Sequence, residues 1–252
     1  MEWSGDAIMC TVMPHGEHGA IARLMTSDAG LLSGYVKAGR STKFRAMLMP
    51  GNILHTQWRM RVESQLGSFS LDMARSRAAS LFNDRKRGAA IAWATALIAV
   101  TVPERLPYPR LYAGLDALLE TITHADSDLQ WLATLVKFEL LVLADLGFGL
   151  DLSCCVVTGE LHDLAYVSPK SACAVSAVSG LPYKDKLLPL PGFLIRDDTG
   201  PPTAQDIQDG LKLSGYFLDR QLFSDSGVRR RETALEARRR LLEALPAVAR
   251  NT

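Results

Sequence analysis

Apolar and polar residues alternate with a period of two along roughly the first seventy-five positions, and with a helical period after them. Short alternating runs separated by Gly, Pro and Asp predict strands at Ala7–Met13, Gly19–Thr26, Leu31–Lys37, Ile53–Val62 and Ser68–Met73. The clearest is LHTQWRMRV, which puts Leu54, Thr56, Trp58, Met60 and Val62 on one face and His55, Gln57, Arg59 and Arg61 on the other. Five strands with a long loop, Ala38–Gly51, before the fourth suit a five-stranded OB-type barrel. Period and spacing alone also allow an SH3-like barrel.

From about Ser76 the pattern is helical. Ser80–Thr101 is Ala-rich and stops before Pro103. Pro109–His124 carries the stripe Leu111, Leu115, Leu118, Leu119 and Ile122, and Leu129–Leu146 is apolar almost all round, as in a core helix. An irregular stretch with Pro182, Pro189 and Pro191 follows. Thr203 then offers an N-cap, with Asp206 in the first turn of a helix running toward Phe223, and a last helix spans about Glu232–Leu245. The pattern predicts an α+β chain: a barrel over residues 1–76 and a helical domain over 77–252.

A length of 252 residues with 48% hydrophobic composition is enough for a sizeable core. MEWSGDAIMC lacks a charged segment followed by an apolar one, so no secretory signal is expected, and the uncharged stretch Ala89–Val102 is too short to span a bilayer. Cysteines at positions 10, 154, 155 and 173 give no secreted disulfide framework, which suits a reducing cytoplasm.

The net charge of +1 conceals an uneven distribution. Twelve Lys and Arg face seven Asp and Glu over residues 1–90, four face ten over 91–180, and twelve face ten over 181–252. The cationic surface therefore belongs to the N-terminal third. Lys37, Arg40, Lys43 and Arg45 occupy a stretch with no acid between Asp28 and Glu63, and Arg59 and Arg61 add to it from the polar face of the fourth strand. Such a surface attracts phosphates with little sequence preference. Only Tyr35 and Phe44 are nearby aromatics, so charge should outweigh base stacking. A second cluster, Arg75, Arg77, Arg85, Lys86 and Arg87, either extends this track or pairs with the acidic middle of the chain. The C-terminal arginines do not form one stripe: Arg229 and Arg240 share a helical face, Arg231 and Arg238 another.

The chemistry of catalysis is sparse. There is no phosphate loop, no Gly-rich nucleophile turn and no paired-carboxylate motif, and a Cys–His nucleophile has no supporting signature. Cys154, Cys155 and Cys173 read as small buried hydrophobes, with His162 and Asp163 the only extra donors for a metal. The expected protein is not an enzyme and needs no cofactor.

Several segments carry a family resemblance: HGEHGAIARLMTSDAGLLSGYVKAGR with Pro50 following it, then DLGFGLDLS, YVSPKSA, LPGFL and the helix Leu211–Phe223 leading into an Arg-rich tail. In order and spacing the chain resembles the RecO family of bacterial recombination mediators across nearly its whole length. The family's metal insert usually reads CxxCG, FSPxxGG, CxxC. Over about 150–192, LDLSCCVVTGELHDLAYVSPKSACAVSAVSG keeps this frame with Cys155 at the first ligand position and Thr158, Ser176 and Ser179 at the other three. Neutral hydroxyls are poor zinc ligands, so a degenerate zinc-finger-like insert without metal is expected.

The resemblance implies an OB-fold barrel, then a helical domain holding that insert. It implies no catalytic residues, and the partners would be single-stranded and double-stranded DNA, RecR and single-stranded-DNA-binding protein, with no membrane, at a cytoplasmic, nucleoid-associated location. The family's helical domain receives an acidic, Phe-ended tail, for which Lys212, Tyr216, Phe217, Arg220 and Phe223 are the candidates on chemistry. The alternative is a protein-interaction adaptor with little DNA affinity of its own.

Overall fold

The structure is a computed structural model. It describes residues 1–62, 65–77, 84–195, 200–223 and 228–245, and the side chains of Lys43 and of residues 228–231 lie outside that description. The described residues form two compact units, one within Met1–Thr123 and Val228–Ala244, the other within His124–Gly227 together with Leu245.

In the first unit β1 (Glu2–His15), β2 (Gly19–Thr26), β3 (Leu31–Val36), β4 (Ile53–Arg59) and β5 (Gly67–Arg75) close into a barrel in the order β1-β2-β3-β5-β4. The long β1 serves two neighbours. Glu2–Ile8 pairs antiparallel with β4, while Ala7–His15 pairs with β2 around a bulge between Met9 and Thr11. Closure comes from parallel pairing of Gly34–Val36 with Gly67–Phe69. This is OB-type topology, as expected. The period-two pattern holds in β4, where Leu54, Thr56 and Trp58 are buried and His55, Gln57 and Arg59 exposed. Trp58 fills the barrel beside Gly67, where a Cβ would meet the indole nitrogen at 2.2 Å.

The expected loop Ala38–Gly51 contains a short helix, α1 (Thr42–Met47), N-capped by Ser41. Six residues are too few for helical periodicity to register in sequence. Met47 and Leu48 join the barrel core, and buried Asn52 donates to the carbonyls of Ala46 and Met47 at 3.0 and 3.2 Å. Phe44, half-buried, also packs against that core.

Three longer helices complete this unit: α2 (Arg85–Thr101), α3 (Pro109–His124) and the C-terminal α7 (Val228–Ala244). Among the described residues the Ala-rich helix begins at Arg85, N-capped by Asp84; its expected start at Ser80 lies outside them. Helix α2 is buried over Ala90–Ala99, against β1 on one side and α7 on another. The predicted α3 stripe of Leu111, Leu115, Leu118, Leu119 and Ile122 is fully buried. On α7, Arg238 lies 5.9 Å from the Trp93 ring centroid, while Arg239 and Arg240 pair with Glu236. The side chains of Arg229 and Arg231 are outside the described set.

The second unit is built on α4 (Asp128–Asp145) and α6 (Ala204–Phe217), which pack together. Helix α6 begins at the expected N-cap, where Thr203 and Asp206 form a reciprocal capping box, and it passes into a π turn at Leu218–Leu222. Inside this pair the fully buried Glu139 of α4 accepts a hydrogen bond from Ser214 Oγ of α6. Between the two helices in chain order comes a small sheet in the order β7-β6-β8, from β6 (Leu164–Val167), β7 (Ala174–Ser176) and β8 (Leu188–Pro189), with one turn of helix, α5 (Ala177–Gly180), after β7. No described helix is long and apolar enough to cross a membrane.

Candidate nucleic-acid interface

Two loops frame a shallow cleft of about 630 Å³ on the barrel: the β1–β2 turn at residues 16–18 and the β4–β5 link that ends at Leu66. His15 and Tyr35 line it, with ring centroids 6.0 Å apart and edge to face. Glycine at position 19 allows this arrangement, because a Cβ there would lie 2.2 Å from the Tyr35 hydroxyl. OB-type barrels present oligonucleotide-binding loops in this region.

Of the cations predicted from sequence, Arg40 reaches the cleft. Arg40 donates from Nη1 to the carbonyls of Gly16 and Glu17 at 3.4 and 3.1 Å, and its backbone N–H donates to His18 O at 3.2 Å, which fastens the basic loop to the hairpin tip. Lys37 and Arg45 are exposed on the same loop, Arg45 on α1. The Lys43 side chain lies outside the described residues. Arg61, in the β4–β5 link, is exposed, whereas Arg59 pairs with Glu2 of β1 at 3.4 Å. That pair is solvent-exposed on both sides and therefore weak, so a phosphate can compete for Arg59.

The second basic cluster divides. Arg77 is only 2% exposed and donates to Asp116 at 2.6 Å and Glu120 at 2.7 Å, both on α3, while Arg75 pairs with the same Glu120. This corrects the placement of Arg77 on a nucleic-acid track: its guanidinium is used inside the protein, binding the end of the barrel to α3. Arg87 pairs with Asp84 at 3.3 Å and donates to the carbonyls of Ile122 and Thr123 at the end of α3, a helix C-terminus that favours a cation. Arg85 is exposed and Lys86 half-buried. The acidic middle of the chain thus takes up Arg75 and Arg77.

In the second unit Lys212, Tyr216 and Arg220 form an exposed i, i+4, i+8 row, with Arg220 donating to Tyr216 Oη at 3.3 Å and to Pro169 O. Phe217 and Phe223 are buried in the core. They cannot supply the apolar floor of a peptide groove, which corrects that part of the expectation. His15, His18 and Leu66, which line the cleft, were not singled out in sequence, although two histidines on either side of Gly16 in the first hairpin of an OB pattern were a usable signal.

Cys155, Thr158 and Ser176, three of the four positions that the resemblance gave to a metal frame, lie close together. The turn at Cys155 is closed by Gly159 N–H to Cys155 O at 2.8 Å, with Gly159 at φ +75°. The backbone N–H of Ser176 reaches the Cys155 sulfur at 3.3 Å. Burial pushes the Cys155 thiol up, but donors from the side chains and backbone of Thr158 and Ser176 outweigh it and hold the thiol at about 6. The Ser176 hydroxyl is itself buried without a hydrogen bond of regular geometry. Ser179 lies further on, in α5. One sulfur with hydroxyl neighbours does not fit zinc, and no group of three or more His, Cys, Asp or Glu suited to a metal occurs among the described residues.

A thiol depressed in the folded state stabilises that state above its unfolded pKa, and the contribution is lost as pH falls through about 6. Cys155→Val should therefore cost little at pH 6 and more toward pH 9. The exposed Val156 and Val157 beside it imply solvent screening, so the increment is on the order of 1 kcal/mol. Urea unfolding of both chains at the two pH values checks this.

Comparison with known proteins identifies the family. The family model for the recombination protein O N terminal matches residues 1–76, and that for the recombination protein O C terminal matches 83–230. DNA repair protein RecO of Rhodospirillum rubrum is 42% identical over 229 residues, covering 90% of this chain and 91% of the relative. RecO of Methylobacterium nodulans is also 42% identical, over 90% of this chain and 93% of its own. With both halves matched in order and the barrel observed where the N-terminal model lies, the chain belongs to the RecO family of DNA repair proteins.

Proposed function

We propose that the chain binds single-stranded DNA on its barrel, brings complementary strands together for annealing and, with RecR, helps a recombinase load on strands coated by single-stranded-DNA-binding protein. The observation that supports this is Arg40, which bonds the carbonyl of Glu17 at the cleft of His15, Tyr35 and Leu66 and lines a neighbouring slot together with Arg45; Lys37 is exposed on the same loop. Phosphates would be held by the cations and bases would rest on the cleft, so binding is largely independent of sequence. Double-stranded DNA presents the same phosphates and would bind through the charges alone. The action is binding rather than turnover, because base pairing supplies the free energy of annealing. The insert at 150–192 is read as the frame of a metal module in which hydroxyls stand at ligand positions.

A protein-interaction adaptor with little DNA affinity is the second reading, favoured by the exposed Val156, Val157, Val178, Leu181 and Tyr183 of the insert. Mixing the full chain with two complementary labelled strands separates them. Annealing at sub-stoichiometric protein should accelerate at least about tenfold at low salt and lose that advantage as salt rises. No acceleration at any salt concentration would assign the adaptor role.

A further inference from the structure

The β1–β2 hairpin has a second concavity, distinct from the cleft at its tip. Val12, Leu48, Met49 and Pro50 line a slot of about 450 Å³, with Arg40 and Arg45 also on its wall. This volume falls within the range of small-molecule sites, about 300–1,000 Å³. Val12 and Met49 leave over a third of their surface open, and no carboxylate is among the lining residues.

We infer that this slot receives one unstacked nucleobase of a bound single strand, with the flanking phosphates on Arg40 and Arg45. The inference rests on the single-strand reading above and adds a subsite to it. Arg40 supplies the continuity: it lines the slot and also bonds the carbonyls of Gly16 and Glu17, whose residues line the cleft. A strand leaving the cleft past Arg40 reaches a slot whose lining holds no acidic side chain, the exposed Glu17 belonging to the cleft side of that path.

The chemistry favours a nucleotide over other occupants. A nucleotide is a flat apolar ring attached to a phosphate, and this slot is an apolar wall with two guanidiniums, whose planar donor pairs match phosphate oxygens. The thioether of Met49 and the ring of Pro50 offer apolar contact to a base face, and thioethers contact aromatic rings favourably. No neutral polar side chain lines the slot, so nothing there reads a base edge, and any base should be accepted.

The test compares two strands of equal length and charge, an oligo-dT and one whose sugars are abasic, by fluorescence anisotropy with the full chain. The natural protein should bind oligo-dT on the order of tenfold more tightly, the lower end of what base contacts contribute. The double variant Val12→Ser/Met49→Ser should shrink that gap to about twofold while leaving the log-log salt slope of oligo-dT binding intact, since no phosphate contact is removed. In parallel, a strand carrying 5-iodouracil should photo-cross-link to the natural protein within the segment containing Met49, a readout that does not depend on the variant folding. Equal affinity for the two strands, an undiminished gap in the variant, or cross-links confined to other segments would overturn the slot. Binding to neither strand would overturn the single-strand reading itself, so the two failures are distinguishable.

Discussion

Arg77→Ala should destabilise the unit containing the barrel by about 2–3 kcal/mol, the largest loss expected from a single substitution. Arg77 is almost wholly buried, its guanidinium donates to Asp116, Glu120 and the carbonyl of Gly51, and its backbone N–H donates to Asn52 Oδ1 at 3.0 Å. Removing a buried partner ordinarily costs about 3–5 kcal/mol because the other charge is left stranded. Here Asp116 and Glu120 retain 40% and 34% of their side-chain exposure and can hydrate in part, which lowers the expectation. Arg77→Met keeps most of the stem volume and should cost less than the alanine variant. Neither should alter the salt dependence of DNA binding, because the guanidinium is not on the surface. Urea unfolding with Glu120→Gln as the partner of a double-mutant cycle gives the coupling directly, and additivity of the two substitutions would remove the pair from the account.

The second large effect is on affinity. Lys37→Ala, Arg40→Ala and Arg45→Ala combined should weaken single-strand binding by at least about a hundredfold near 50 mM salt, because each charge neutralises a phosphate and releases counterions. Arg40 carries more than its charge. Its bonds to the carbonyls of residues 16 and 17 also hold the hairpin tip, so Arg40→Lys, which keeps the charge but loses the planar fork, should recover only part of the affinity. Thermal unfolding of the triple variant should remain near that of the natural protein, since all three side chains are exposed.

How far such results were legible in sequence depended on the reach of each signal. Strand β4 was readable because Leu54, Thr56 and Trp58 alternate with polar neighbours, and α3 because its five buried positions repeat at helical spacing. The capping pair Thr203 and Asp206 is local and was read correctly. Long-range partners were not readable. Nothing near Arg77 in sequence distinguishes it from Arg85, yet one is buried against Asp116 and Glu120 and the other exposed; the choice is made by α3, some forty residues on. Phe217 and Phe223 looked like groove residues by composition, but the side of the helix that faces the core is a tertiary fact. The slot at Val12 and Met49 joins β1 to the segment after α1, and no periodicity reports that approach.

The central claim, that phosphates are gathered on the barrel loop, is tested most directly by the salt dependence of single-strand binding. Anisotropy titrations of the natural chain and of the Lys37, Arg40 and Arg45 triple variant, from about 50 to 300 mM salt, give log K against log salt for each. The account predicts straight lines, with the variant shallower by about 2, from three contacts at about 0.7 each. Parallel lines, or a natural chain whose affinity does not change with salt, would contradict it.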